Sequence, residues 1–180
     1  MSQDSSCGSV TQTVSVHVED LMDGFVQDGG LDIEKYKMVE THPMGFRDVN
    51  YAFNTQENLS LRAHIYWFPD GEGGLMRQYF HMEIALTKIV PASSTALLIL
   101  ALVKNQNVHA PIRLALSDDL LVLSSRFAVD GLHSEYIRDI VFGMIPFGVQ
   151  VLDDLRKELG IPIPTVLEAI RQEKCRAGLH

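Results

Sequence analysis

Two histidines and a glutamate in the middle of this 180-residue chain are the side chains whose types could do chemistry. His64 lies in one alternating segment, and His81 and Glu83 lie in the next. Histidine and glutamate together can bind a metal ion or exchange protons. Their spacing matches no zinc motif, and cross-strand pairs of His, Tyr, Arg and Glu are ordinary on a sheet surface. The pattern favours a solvated or partner-covered sheet face, with a metal or small-molecule site at these three residues as the alternative.

The segments that must position these side chains are residues 59–68 and 75–84. Apolar side chains alternate with polar or aromatic ones in both segments, which predicts two strands. Residues 69–74 (PDGEGG) between them are rich in turn formers, so the pair reads as an antiparallel hairpin. One face of this hairpin would carry Arg62, His64, Tyr66, Arg77, Tyr79 and His81. Because that composition is closer to an interface than to ordinary surface, we predict that these six residues bind a partner.

Other polar clusters are explained by structure alone. Asp118 and Asp119 are adjacent acids that fit a turn. Residues 70–74 (DGEGG) lack the pattern and the following helix of a phosphate-binding loop. No serine lies in a Gly-x-Ser-x-Gly elbow. We therefore predict no catalytic residue, no metal ligand and no cofactor, and expect that the protein is not an enzyme.

The charge, the cysteines and the apolar runs of the chain argue against nucleic-acid binding, secretion and a membrane span. The formal net charge is −8 and no Lys/Arg cluster is present, so direct nucleic-acid binding is not expected; an accessory role through a protein partner stays open. Cys7 and Cys175 match no metal or redox motif. The first residues lack the features of a signal peptide, and the longest apolar run (96–103, ALLILALV) is too short to span a membrane, which needs about 20 residues. A cytoplasmic protein with no membrane partner is expected.

The sequence also predicts the structure of residues 1–54 and of the carboxy-terminal residues 161–180. Residues 1–12 are predicted to be a disordered lead. A helix should follow and end at residues 28–30 (DGG), with one apolar face made by Val14, Val18, Leu21, Met22 and Phe25. Strands are expected at residues 36–41 and 50–54. Residues 161–180 are predicted to be an extension with a short helix, capped by Thr165 and ending near Glu173.

Two further helices surround a second hairpin. Residues 94–105 should form a helix that is apolar nearly all round, which indicates burial or a subunit interface. We predict a homodimer interface made by Leu97, Leu98, Leu100, Ala101 and Leu102. Residues 112–129 should form a hairpin with its turn at residues 117–119. A long helix over 134–159 follows, with an expected kink at Pro146.

The order is helix, three or four strands, helix, two strands, helix. It predicts an α+β fold in which an antiparallel sheet and its flanking helices form two layers, with one domain over residues 13–160.

This order resembles that of the bacterial YbjN-like proteins and the type III secretion chaperones. The hairpin 112–123 (IRLALSDDLLVL), the helix opening 133–141 (HSEYIRDIV) and the apolar helix 94–103 carry the resemblance. It covers roughly residues 13–160, and residues 161–180 depart from it. The resemblance implies a non-enzymatic homodimer that binds another protein or a peptide segment, as a chaperone, an adaptor or a regulator.

Overall fold

The structure is a computed structural model that describes residues 9–70, 75–89, 94–105 and 111–178. Its helices and strands follow one another as α1 (Ser9–Asp28), α2 (Ile33–Tyr36), β1 (Lys37–Thr41), β2 (Arg47–Asn54), β3 (Ser60–Asp70), β4 (Leu75–Lys88), α3 (Ser94–Asn105), β5 (Ile112–Ser117), β6 (Leu120–Ala128), α4 (Ser134–Leu159) and α5 (Val166–Arg176). The predicted α+β fold with an antiparallel sheet and flanking helices is confirmed.

All six strands form one antiparallel sheet in the order β1-β2-β3-β4-β6-β5. The predicted hairpin is present, with His64 opposite His81 and Tyr66 opposite Tyr79. Of the turn predicted at residues 69–74, residues 69 and 70 belong to β3, and residues 71–74 lie outside the described residues. After β4 the chain passes through α3 to the edge of the sheet opposite β1, which we call the far edge. There β5 is the edge strand, and β6 lies between β5 and β4.

The alternation in β3 and β4 turns one face of the sheet into the core. Leu61, Ile65, Phe80, Met82 and Ile84 are buried on that face. They share one hydrophobic cluster with apolar side chains of α1, α3 and α4. Each such side chain stabilises the fold by about 1.5–3 kcal/mol when it leaves water. We call the opposite face of the sheet the outer face.

Helix α4 comes close to the sheet at Gly148, which is buried. A Cβ atom placed there would lie 3.2 Å from a methyl carbon of Leu86 and 3.7 Å from one of Leu59. Glycine therefore lets the helix pack closely on β4. Pro146 lies inside the helix, and the kink expected there stays a prediction.

A cluster of charged groups joins α1 to the first two strands. Lys37 Nζ lies 2.7 Å from Asp23 Oδ2 and 2.8 Å from Glu19 Oε1. Tyr51 donates its hydroxyl hydrogen to Asp23 Oδ1 over 2.7 Å. Burial raises the pKa of Tyr51, and the hydrogen bond to Asp23 raises it further, so the phenol keeps its proton. These contacts fix the register of α1 along the sheet.

The far edge of the sheet is closed by a side chain. Asn105, the last residue of α3, donates from Nδ2 to the carbonyl oxygen of Leu114 over 2.7 Å. Its Oδ1 accepts from the Leu114 backbone N–H over 2.6 Å. The amide thus occupies both outward backbone groups at the middle of β5, as a neighbouring strand would.

The carboxy-terminal segment packs on the end of β4. Thr87 donates to the carbonyl oxygen of Pro164 over 2.8 Å, and Arg156 Nε donates to that of Ile163 over 2.9 Å. Thr165 and Glu168 form a reciprocal capping box that starts α5. The helix ends at Arg176, slightly beyond the predicted Glu173.

Several predicted boundaries are wrong. Helix α1 begins at Ser9, so residues 9–12 belong to it, while the rest of the predicted lead (1–8) lies outside the described residues. Polar residues at the start of an existing helix extend it readily, since nucleation has already occurred. The short helix α2, capped by Asp32, was not predicted. Strand β4 continues to Lys88 because a register shift between Ala85 and Thr87 interrupts the alternation that marked its end.

Candidate functional site

The outer face gathers side chains from three neighbouring strands at its centre. His64 and Tyr66 come from β3, and Tyr79 and His81 come from β4. Register places Arg126 of β6 opposite His81 and Ala128 opposite Tyr79. Because successive residues of a strand point to opposite faces, all five of these side chains point away from the core. We call them the outer-face cluster.

Three rings of this cluster, those of His64, Tyr66 and Tyr79, form a stacked row. The centroids of His64 and Tyr66 lie 4.6 Å apart with an interplanar angle of 29°, and those of Tyr66 and Tyr79 lie 5.7 Å apart at 20°. The guanidinium carbon of Arg126 is 5.6 Å from the Tyr66 ring centroid and 5.8 Å from that of Tyr79. Stacking and cation–π attraction hold these side chains in place before any ligand arrives.

His81 is held by two polar neighbours. Its Nε2 lies 3.1 Å from Ser124 Oγ and 3.2 Å from Glu83 Oε1. Burial lowers the pKa of His81; Glu83 opposes this shift, and the charges of Arg126 and Arg113 add to it. The ring is therefore neutral at pH 7. A carboxylate only accepts hydrogen bonds, so the contact with Glu83 favours the tautomer that carries its hydrogen on Nε2.

The pKa of His64, like that of His81, is lowered by burial and raised by a nearby carboxylate. Burial lowers its pKa, Asp48 raises it, and His81 lowers it again. Its Nε2 is 3.9 Å from Asp48 Oδ2, an oxygen that lies 3.1 Å from Nε2 of His42. Within the described ranges, no three His, Cys, Asp or Glu side chains are grouped so that they could hold a metal ion. Burial thus favours the neutral form of His64 and His81, in which each ring can both donate and accept a hydrogen bond.

All six residues predicted to bind a partner belong to β3 or β4 and point to the outer face. Arg62 and Arg77 are exposed, whereas the two histidines and two tyrosines are half-buried. Their partner-binding role stays a prediction. Sequence reasoning missed Arg126, Ser124 and Arg113, which β6 and β5 bring to the same face. The residues preceding Arg126 are all buried from Leu121 to Ser125, so no clear alternation marked its side.

Helix α3 divides its apolar side chains between two environments. Leu97 and Ala101 are 2% and 6% exposed and belong to the chain's own core. Ile99, Leu102 and Val103 are 56%, 67% and 48% exposed. Leu98 and Leu100 lie between these extremes. Of the five predicted interface residues, Leu97 and Ala101 thus face inward, and an interface on α3 would use Leu102 with Ile99 and Val103.

A separate cavity of about 350 Å³ lies among α1, the β2–β3 turn and the middle of α4. Its wall includes Phe25, Phe53 and Phe142, and Phe25 packs on both other rings at centroid distances of 6.0 and 5.0 Å. None of His64, His81 and Glu83 lines it. The alternative small-molecule site predicted at those three residues therefore has no connection with this cavity.

No family model and no curated protein matches the chain. Several solved structures are similar to it, including the following three. The first, the ExsC–ExsE complex, has a TM-score of 0.49 and 10% identity, covering 81% of this chain and 96% of the other. The second is the Yersinia pestis type III secretion chaperone SycH in complex with a stable fragment of YscM2, at a TM-score of 0.38 and 19% identity, covering 74% and 98%.

The third similar structure is the HopA1–SchA chaperone–effector complex, with a TM-score of 0.43 and 14% identity, covering 78% of this chain and 97% of the other. The predicted resemblance to YbjN-like proteins stays a prediction. None of the helices in the described part of the chain is long and apolar enough to cross a membrane.

Proposed function

We propose that this protein is a non-enzymatic protein-binding module, a chaperone or adaptor that works as a cytoplasmic homodimer. The observation that carries the proposal is the outer-face cluster, a preorganised row of rings and one arginine that α1, α3 and α4 leave uncovered. Tyrosine and arginine are the residue types that contribute most at protein interfaces. Because stacking already restricts their motion, they lose little conformational entropy when a partner binds.

The outer-face cluster can be tested by its partners in the native cell. A tagged wild-type protein and a Tyr66→Ala/Tyr79→Ala variant are used for pull-down and mass spectrometry. Tyr136→Ala serves as the control, because Tyr136 is an exposed tyrosine on α4. We expect the same partner with wild type and control, and its loss with the double variant. Equal recovery of the partner by the double variant contradicts the proposal.

The homodimer is supported by the exposed side of α3. Ile99, Leu102 and Val103 form an exposed apolar strip on that helix. Helix α3 contacts β5, and Leu116 of β5 is also 53% exposed. Each is an apolar side chain that a second copy could cover. A two-fold interface uses the same patch on both subunits, so one helix per subunit is enough to build it.

Light scattering after size exclusion tests the dimer. We expect a wild-type mass of two chains at micromolar concentration and a single-chain mass for Leu102→Asp. Ile170→Asp is the matched control, since Ile170 is an exposed isoleucine on α5, and it should stay dimeric. A monomeric wild type contradicts the dimer and leaves the outer-face cluster as an independent question.

The alternative function is a small-molecule- or metal-binding domain that uses His64, His81 and Glu83. The contact of 3.2 Å between His81 Nε2 and Glu83 Oε1 favours it. Metal analysis of the purified protein and a thermal-shift screen separate the two functions. A ligand-dependent rise of the melting temperature that disappears in His81→Ala supports the alternative, and a flat screen supports the protein-binding role.

A further inference from the structure

Three arginines of the outer face, Arg62, Arg113 and Arg126, differ from the paired cations on the helical side of the sheet. Lys37 and Lys104 each lie within 4 Å of two carboxylates. In the part of the chain that the structure describes, no carboxylate pairs with Arg62, Arg113 or Arg126. These three cations are therefore available to an anion from outside the chain.

Arg126 is the best prepared of the three. Its guanidinium carbon lies within cation–π range of two tyrosine rings, which restricts the position of the group, and its side chain is exposed. A planar guanidinium matches the two oxygens of a carboxylate, and such charge-assisted pairs are among the strongest hydrogen bonds in proteins.

Two acids of the outer face, Glu83 and Asp48, already contact histidines. Glu83 stands opposite Arg62 in register, but its Oε1 contacts Nε2 of His81. Asp48 contacts the ring nitrogens of His42 and His64. These carboxylates sit beside histidines, so they do not occupy the arginine edges that a partner would meet.

The three arginines also define a spacing. Arg62, Glu83, Ser124 and Arg113 follow one another across β3, β4, β6 and β5 in a single row. Neighbouring strands are about 4.8 Å apart, so Arg62 and Arg113 are separated by roughly 14 Å. An extended chain covers that distance in about four residues. Arg126 lies two residues along β6 from Ser124, on the same face and about 7 Å from this row.

We propose that the outer face binds an extended acidic segment of a partner protein, with two carboxylates about four residues apart on Arg62 and Arg113 and a third on Arg126. This rests on the protein-binding function proposed above and adds the chemistry of the partner. The net charge of −8 repels acidic chains at long range. Binding therefore depends on the local arginines, which gives selectivity for a segment with the matching spacing. The same net charge disfavours a nucleic acid, which carries an anion at every nucleotide.

A display library of random 12-residue peptides tests the proposal against the full-length protein. We expect the selected peptides to carry Asp or Glu at two positions four residues apart. The best peptide should bind Arg126→Gln about tenfold more weakly or worse in fluorescence anisotropy. Arg126→Lys, which keeps the charge but loses the planar fork, should not restore full affinity. Arg138→Gln on α4, an exposed arginine away from the sheet face, is the matched control and should bind like wild type.

Three outcomes overturn the proposal. Selected peptides that are neutral or basic, yet fail to bind Tyr66→Ala/Tyr79→Ala, reject the acidic partner and leave the protein-binding face standing. A selection whose peptides all bind that double variant normally rejects the proposed function as well. A 12-nucleotide single-stranded RNA that binds more tightly than the best peptide, and is lost in Arg126→Gln, assigns the face to nucleic acid instead.

Discussion

The two faces of the sheet are built on different physics. On the core face, Phe80, Met82 and Ile84 of β4 are completely buried under helices. On the outer face of the same strand, Tyr79, His81 and Glu83 keep partial contact with water. Tyr79 stacks on Tyr66, and His81 contacts Ser124 and Glu83. Alternation along one strand thus separates the residues that hold the fold from those available for binding. Substitutions on the two faces should therefore have separable effects.

The largest expected effect comes from Phe80→Ala. Removing a fully buried ring leaves a cavity, and the free energy of unfolding should fall by about 3–5 kcal/mol. Tyr79→Ala, one residue away on the outer face, should lower it by less than about 1 kcal/mol. Urea denaturation followed by circular dichroism measures both. Similar losses for the two variants would show that the outer face also carries the fold.

The second comparison sets a paired cation against an unpaired one. Lys37→Met removes the cation between Glu19 and Asp23, which keep Arg47 and the Tyr51 hydroxyl as partners. The free energy of unfolding should fall by about 1–2 kcal/mol, after allowance for partial exposure. Arg62→Met on the outer face should change it by less than about 0.5 kcal/mol. The same denaturation curves report both values. An equal loss at Arg62 would indicate a role for this arginine in stability.

A third variant tests the contact between Asn105 and the edge strand β5. Asn105→Ala removes two hydrogen bonds to Leu114, and we expect a loss of about 1–2 kcal/mol. Amide hydrogen exchange should show faster exchange at the Leu114 N–H. Gln150→Ala, at an exposed position of α4, is the control and should leave that exchange rate unchanged. Unchanged protection of Leu114 in Asn105→Ala would mean that the clamp contributes little.

The smallest expected effect is a pH dependence that belongs to the outer face. Burial lowers the folded-state pKa of His64 and His81 below the usual value, so the unfolded chain takes up protons first as the pH falls. Stability from these groups is complete above about pH 6.5 and decreases as the pH falls below it. His81→Gln should flatten this slope in thermal melts between pH 7.5 and 5, whereas His133→Gln on the surface should not.

The sequence predicted the β3–β4 hairpin and its two faces because that information is local. Alternating apolar residues and a turn-forming segment fix a hairpin without reference to the rest of the chain. Arg126 could not be placed in the same way. Its position depends on the pairing of β6 with β4, which joins segments about 45 residues apart (His81 opposite Arg126), and its neighbours in β6 are buried on both faces.

Helix α3 shows a second limit. A helix that is apolar all round gives no signal for which side enters the chain's own core, since every side is suited to burial. Only packing against β5 and α4 decided that Leu97 and Ala101 face inward and Leu102 outward. The binding role of the outer face likewise depends on a partner, which no pattern within one chain specifies.

The clamp formed by Asn105 makes the two ends of the sheet unequal. At the far end an amide already fills the middle of β5, whereas β1 is a terminal strand whose residues Met38–Thr41 are exposed. A β-strand from another molecule therefore meets occupied backbone groups at the middle of β5, whereas the side chains along β1 are open to solvent. Strand addition is thus disfavoured at one end of the sheet, which makes fibre growth through both edges less favourable than in a sheet with two open edges.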